Sequence, residues 1–147
     1  MAHPPRIPVW LPLEKPVIYF VTWCVEHRRP VLANAEAFSA FRNSIRKLTG
    51  WQIDAAVLMP DHVHILAWPR HREEPIGDLS ALVKRWMRQE LKAEWKWQPG
   101  CFDRLLRTNE SAQEKWEYMR ENPVRTGLVK AWQDWPYQIG FRPPHGL

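Results

Sequence analysis

Only two of the 147 residues are cysteine, Cys24 and Cys101, and they stand outside any CxxC spacing. That excludes a disulfide-stapled scaffold and a four-thiolate zinc site, and both thiols read as inert core or near-core groups in a reducing compartment. No apolar run approaches the roughly 18 residues of a membrane span, and the proline-broken opening does not resemble a charged-then-apolar leader. A soluble, cytoplasmic chain with no membrane partner is therefore expected. Acid is the scarcer charge: 16 Asp and Glu against 21 Lys and Arg leave a formal +5. Such an excess favours an anionic partner, most commonly phosphates of nucleic acid.

No repeat or low-complexity tract appears, and 45% hydrophobic residues in a chain of this length suit one domain with a real core. Prolines 4, 5, 8, 12 and 16 mark residues 1–16 as an extended arm, with Trp10 docked on the body. We expect a single domain over 17–137 and a tail over 138–147.

The stretch Val17 to Trp23 is β-branched and aromatic and reads as a buried strand. Ala35 to Leu48 has apolar residues at helical spacing, with Gly50 ending the helix. Ile53 to Met59 and His62 to Trp68 read as a hairpin around Pro60-Asp61. Ile76 to Trp95 reads as a basic amphipathic helix, Cys101 to Arg107 as a fourth strand, and a last helix opens near Asn109 or Ser111. The order β-α-β-β-α-β plus a helix predicts an α+β, ferredoxin-like antiparallel sheet with its helices on one face and a C-terminal helix beyond.

Two features carry chemistry. In Met59-Pro60-Asp61-His62-Val63-His64, residues two apart on a strand share a face, so His62 and His64 present two imidazoles to one metal ion. On the last helix Ala112, Trp116 and Met119 form the buried stripe, and Lys115, Tyr118 and Asn122 gather on a flank of it. A phenol with an ordinary pKa near 10 is a poor nucleophile at neutral pH, and a divalent metal beside it would polarise a phosphate and ease attack. Neither feature is specific alone. With six histidines an H-x-H spacing arises easily by chance, and a helix tyrosine is usually half-buried packing. Tyr19 reads as core and Tyr137 as a loop residue between Pro136 and Gly140.

Several cations read as phosphate contacts or as plain solvated surface: Arg28 and Arg29, Arg42, Arg46 and Lys47 on the first helix, Lys84, Arg85 and Arg88 on the second, and Lys115 on the last. Glu90 and Glu94 are available to pair with that second set. Of the ten tryptophans, two or three are candidates to stack on unpaired bases.

Met-Pro-Asp-His-Val-His followed by Trp-Glu-Tyr-Met-Arg-Glu-Asn-Pro-Val-Arg-Thr-Gly-Leu-Val resembles the REP-associated tyrosine transposases, relatives of the single-tyrosine HUH insertion-sequence transposases. The likeness runs from about Pro12 to Tyr137 and includes Tyr19-Phe20-Val21-Thr22, Gly77-Asp78-Leu79-Ser80, Trp97-Gln98-Pro99-Gly100 and Phe102 to Arg107. It implies that His62 and His64 bind Mg²⁺ or Mn²⁺ with Asn122 completing the site, and that Tyr118 is the nucleophile. It further implies cleavage of single-stranded REP-type hairpin DNA by a monomer or homodimer. Asp61 stands where many relatives carry asparagine, Cys101 where an aromatic is frequent, and Ala112 where tyrosine is often seen. The third histidine of replication relaxases is missing. The rival readings are a domesticated hairpin-binding module and a phosphoesterase that uses water.

Overall fold

The computed structural model describes residues 17–71, 73–106 and 109–141. The proline-rich arm with Trp10, and residues 142–147 of the tail, lie outside the described residues. Five strands, β1 (Ile18–Cys24), β2 (Trp51–Leu58), β3 (His62–Pro69), β4 (Phe102–Leu106) and β5 (Gln138–Ile139), form one sheet in the order β4-β1-β3-β2-β5. All pairings are antiparallel. The four longer strands have the expected α+β arrangement. The fifth was not expected: its two residues, read from sequence as tail, pair with Ala56 and Val57 on the edge of β2.

Alternation along β1 and β3 divides the core in two. Tyr19, Val21, Trp23, Val63, Ile65 and Ala67 face one layer, which is closed by α1 (Ala35–Arg46) and α2 (Ile76–Leu91). Ile18 and Leu66 face the other, closed by Ala112, Trp116 and Met119 of α3 (Asn109–Arg120) and by Trp135. Thus α1 and α2 share one face and the last helix takes the opposite one. β2 also contributes to both layers, and a register slip between Ile53 and Ala55 shifts its alternation by one residue at the buried Asp54.

Three boundaries differ from the sequence reading. α1 opens on Asn34, whose side chain accepts from the Ala37 N–H at 2.8 Å. It stops at Arg46 rather than Leu48, and Gly50 does not cap it. That glycine instead gives room: a Cβ there would meet the Glu74 carboxyl carbon at 2.7 Å. α2 ends at Leu91, short of Trp95, because Lys92 turns left-handed (φ 48°) and sends its N–H back to the Arg88 and Gln89 carbonyls. Arg88 then donates to the Trp95 and Ala93 carbonyls and holds the reversed chain. The last helix is also interrupted, and Asn122 opens a separate short turn, α4 (Asn122–Arg125), with Pro123 in its first positions. Proline has no N–H to continue the ladder of α3.

Candidate active site

His62 and His64 lie on the sheet face turned toward α3, because their cross-strand partners Cys24 and Thr22 belong to the same row set as Phe20 and Ile18. Their ring centroids are 4.7 Å apart. The His62 Nδ1–H donates to Asp61 Oδ1 at 2.7 Å, since a carboxylate only accepts, which leaves Nε2 as the ring nitrogen outside that hydrogen bond. His64 Nδ1 lies 2.8 Å from Thr22 Oγ1, so its Nε2 is likewise the ring nitrogen outside that hydrogen bond.

Burial, first, and then the charges of His62, Lys115, Arg125 and Arg28 hold the His64 imidazole down at about 3, so it stays neutral wherever the protein works. Asp61 has its other oxygen on Arg28, whose Nε donates to Oδ2 at 2.8 Å. Burial pushes the Asp61 carboxyl up, but the hydrogen bonds from Arg28 and His62 outweigh it and the pKa is lowered. Arg28 sits in an unusual backbone conformation for this contact, since both His27 (φ 59°) and Arg28 (φ 52°) are left-handed.

Tyr118 stands above the same face. It is 53% exposed, off the buried stripe of α3, and its ring lies between two cations. Lys115 Nζ is 5.2 Å from its centroid and Arg125 Cζ is 4.2 Å. Lys115 Nζ is also 4.8 Å from the Phe20 ring, and Phe20 stacks on His64 at 5.2 Å. The sequence His64, Phe20, Lys115, Tyr118 is therefore one continuous line of contacts from β3 through β1 to α3. Asn122 joins it through Arg125, whose Nη2 reaches Asn122 Oδ1 at 3.4 Å. Tyr118 and Asn122 do not share one uninterrupted helix.

A pair of imidazole nitrogens on one strand face could hold Mn²⁺, or Mg²⁺ when water fills further positions. Among the described residues no cluster of three or more His, Cys, Asp and Glu occurs, so an additional protein donor here has to be of another type, as the Asn122 amide is.

The remaining cations are placed elsewhere. Arg42 covers the Phe38 ring, Arg46 donates to Asn43, and both belong to α1 on the opposite face. Lys84 gives its ammonium to the Gln98 and Gly100 carbonyls, and Arg88 is held as above. Arg29 pairs with Glu94, while Glu90 accepts from Asn43 rather than from a cation of its own helix. Arg85 lines a shallow basic pocket with Lys92 and Trp97. Sequence reasoning missed Phe20, Thr22 and Arg125. The first two share the alternation parity of Ile18 on β1, and Arg125 lies seven residues after Tyr118, two helical turns on.

The model of the family described as IS200-like transposases matches residues 15–116, more than two thirds of the chain and the whole sheet except β5. The chain belongs to the IS200-like transposase family. Among curated proteins it is similar to the REP-associated tyrosine transposase of Escherichia coli K12, at 28% identity over 135 residues, covering 84% of this chain and 76% of that one. A Haemophilus influenzae protein provisionally described as the same type is 25% identical over 102 residues, 60% of this chain and 58% of its own. In fold, this transposase resembles a solved REP-associated tyrosine transposase bound to a REP hairpin, with a TM-score of 0.72 and 22% identity over 90% of this chain and 81% of that chain. Tyr118 and Asn122 fall just beyond the segment that the family model matches. Among the described residues no helix is long and apolar enough to cross a membrane.

Proposed function

We propose that this transposase is a metal-dependent nickase that cleaves, and is able to rejoin, single-stranded REP-type hairpin DNA through Tyr118. The observation that carries the reading is the line of contacts from His64 through Phe20 and Lys115 to an exposed Tyr118.

In this reading His62 and His64 hold Mn²⁺ or Mg²⁺ by Nε2, and Asn122 supplies an oxygen. The bound ion would polarise a non-bridging phosphate oxygen. The Tyr118 phenol loses its proton and its oxygen attacks phosphorus, the bond to the 3′ oxygen breaks, and that oxygen leaves as a hydroxyl. The product is a 5′-phosphotyrosine. Reversal, with a 3′ hydroxyl attacking the phosphotyrosine, rejoins strands without another energy source. Lys115 and Arg125 flank the ring where negative charge collects, and a fixed cation at such a point lowers the barrier.

The test is to incubate the protein and its Tyr118→Phe variant with labelled single-stranded hairpins and Mn²⁺, then resolve products under denaturing conditions. A metal-dependent covalent adduct with the native protein alone is the expected result. Hairpin binding without adduct under any metal would leave a binding module, and cleavage surviving Tyr118→Phe would assign the attack to water.

A further inference from the structure

The described tryptophans are all buried or half-buried, and the half-buried rings of Trp68, Trp86 and Trp132 already carry the cations Arg70, Lys47 and Arg120. Among the described residues the most exposed large apolar side chain is Phe102, at 69%, ahead of Tyr118 and Leu128. Its position in the sheet is informative. Phe102 on β4 pairs directly with Thr22 on β1, and Thr22 pairs directly with His64 on β3. Directly opposed residues of antiparallel strands project to the same side. Phe102, Thr22 and His64 therefore form one row across the face that looks toward Tyr118. At about 4.8 Å per strand, Phe102 sits roughly 10 Å along that row from His64. The next row is Arg104, Phe20 and Leu66, with Lys115 above Phe20. Arg104 is exposed, and among the described residues it has no ion pair.

We propose that Phe102 is a stacking platform for an unpaired DNA base on the sheet face beside Tyr118, with Arg104 holding the adjoining phosphate. The inference rests on the nickase reading for its ligand class and adds to it a binding surface. An exposed aromatic ring next to a free guanidinium is the pairing that captures single strands, because every base has a π-face and every linkage a negative charge. The spacing from His64 is that of a neighbouring nucleotide rather than of the reacting one. A second copy of this chain is the other occupant an edge strand could take. The charged pair Asp103-Arg104 within a strand of five residues works against edge-to-edge pairing.

The experiment measures, by fluorescence anisotropy, the binding of a labelled oligothymidylate of about twelve nucleotides, within the span such proteins cover. An abasic strand of equal length is the comparison. Phe102→Ala should weaken oligothymidylate binding about 10-fold. It should leave abasic binding within about 2-fold, while Phe102→Trp keeps the native affinity. Arg104→Ala should weaken both strands alike and lower the salt dependence. Unchanged affinity of the Phe102→Ala protein, equal losses on both strands, or no oligothymidylate binding by the native protein would each overturn the platform. So would a native dimer in sedimentation that Phe102→Ala dissociates without a change in DNA affinity. Absence of a Tyr118 adduct on hairpins, with Phe102-dependent binding intact, would defeat the nickase and leave the platform standing.

Discussion

The Arg125 guanidinium carbon lies 4.2 Å from the centroid of the Tyr118 ring, and the same side chain donates to the Tyr118 carbonyl oxygen at 2.6 Å. One residue of α4 thus caps the end of α3 and fixes the ring of the candidate nucleophile. A break between two helices that would otherwise leave Tyr118 on a fraying terminus is bridged by a charged group.

Removing that bridge should loosen the ring without touching the DNA-binding surface. A cation over an exposed aromatic ring contributes about 0.5–1 kcal/mol, and the lost cap adds a similar amount. Arg125→Ala should slow adduct formation about 10-fold. Hairpin affinity, read by anisotropy, should stay within about 3-fold, and Arg125→Lys should recover part of the rate. A rate equal to that of the native protein would remove Arg125 from the site.

Asp61 orients His62 and is itself held by Arg28. Loss of such an outer partner typically costs 10–100-fold in metal affinity. Asp61→Ala should lower Mn²⁺ affinity by about 10-fold or more in calorimetry. Arg28→Ala should do less, because the carboxylate still reaches Nδ1. Equal affinities for all three proteins would mean that His62 is not a ligand, or that its tautomer needs no partner.

Two buried groups give stability an unusual pH dependence. Burial raises the Asp54 carboxyl to about 6, opposed in part by the Trp68 indole, and burial holds His64 at about 3. The folded state binds the Asp54 proton more tightly than the unfolded chain, so this group makes stability fall as pH rises from about 4 to 6. At about 1.4 kcal/mol per pH unit the loss is on the order of 2–3 kcal/mol. The unfolded chain binds the His64 proton more tightly, so that group makes stability fall as pH drops from about 6.5 toward 3. Over the shared window the slopes oppose each other. Asp54→Asn should raise the melting temperature at pH 7 and steepen the loss in acid, whereas His64→Asn should flatten the loss in acid. Parallel melting curves against pH for the native protein and Asp54→Asn would show that the bulge does not hold a protonated carboxyl.

Lys84 ends among backbone carbonyls of the segment before β4 rather than in solvent. Lys84→Met should therefore lower thermal stability by about 1–3 kcal/mol, the cost of leaving buried acceptors unpaired. The slope of DNA affinity against salt should not change. A shallower slope would return this ammonium to the phosphate-contacting set.

The strand alternation that puts both histidines on one face was legible at Met59 to His64, because a period of two needs no knowledge of the partner strand. The flank of α3 that carries Lys115 and Tyr118 was legible for the same reason, since Ala112, Trp116 and Met119 define the buried side. β5 was not: two residues have no periodicity, and they become a strand only because β2 offers an open edge. Nor was the left-handed turn at Lys92, which gives up about one further helical turn in exchange for the carbonyls that Arg88 collects.

Phe102 shows the limit most clearly. In the sequence it is one apolar residue in a strand-like run, indistinguishable from Leu105, which packs against the core. It lies on β4 at the sheet edge and is left 69% exposed, and which strand forms that edge is a fact of tertiary packing.

By itself the sequence determined the α+β order of elements, the face shared by His62 and His64, the flank of Tyr118 and the family likeness, because local periodicity and short motifs are written in neighbouring residues. Only the tertiary structure decided that the last helix lies over the histidine face, that Phe20 and Lys115 join the two halves of the site, and that Arg125 clamps the tyrosine. Those contacts link residues many positions apart, and nothing local specifies which of the sheet's two faces a terminal helix will bury.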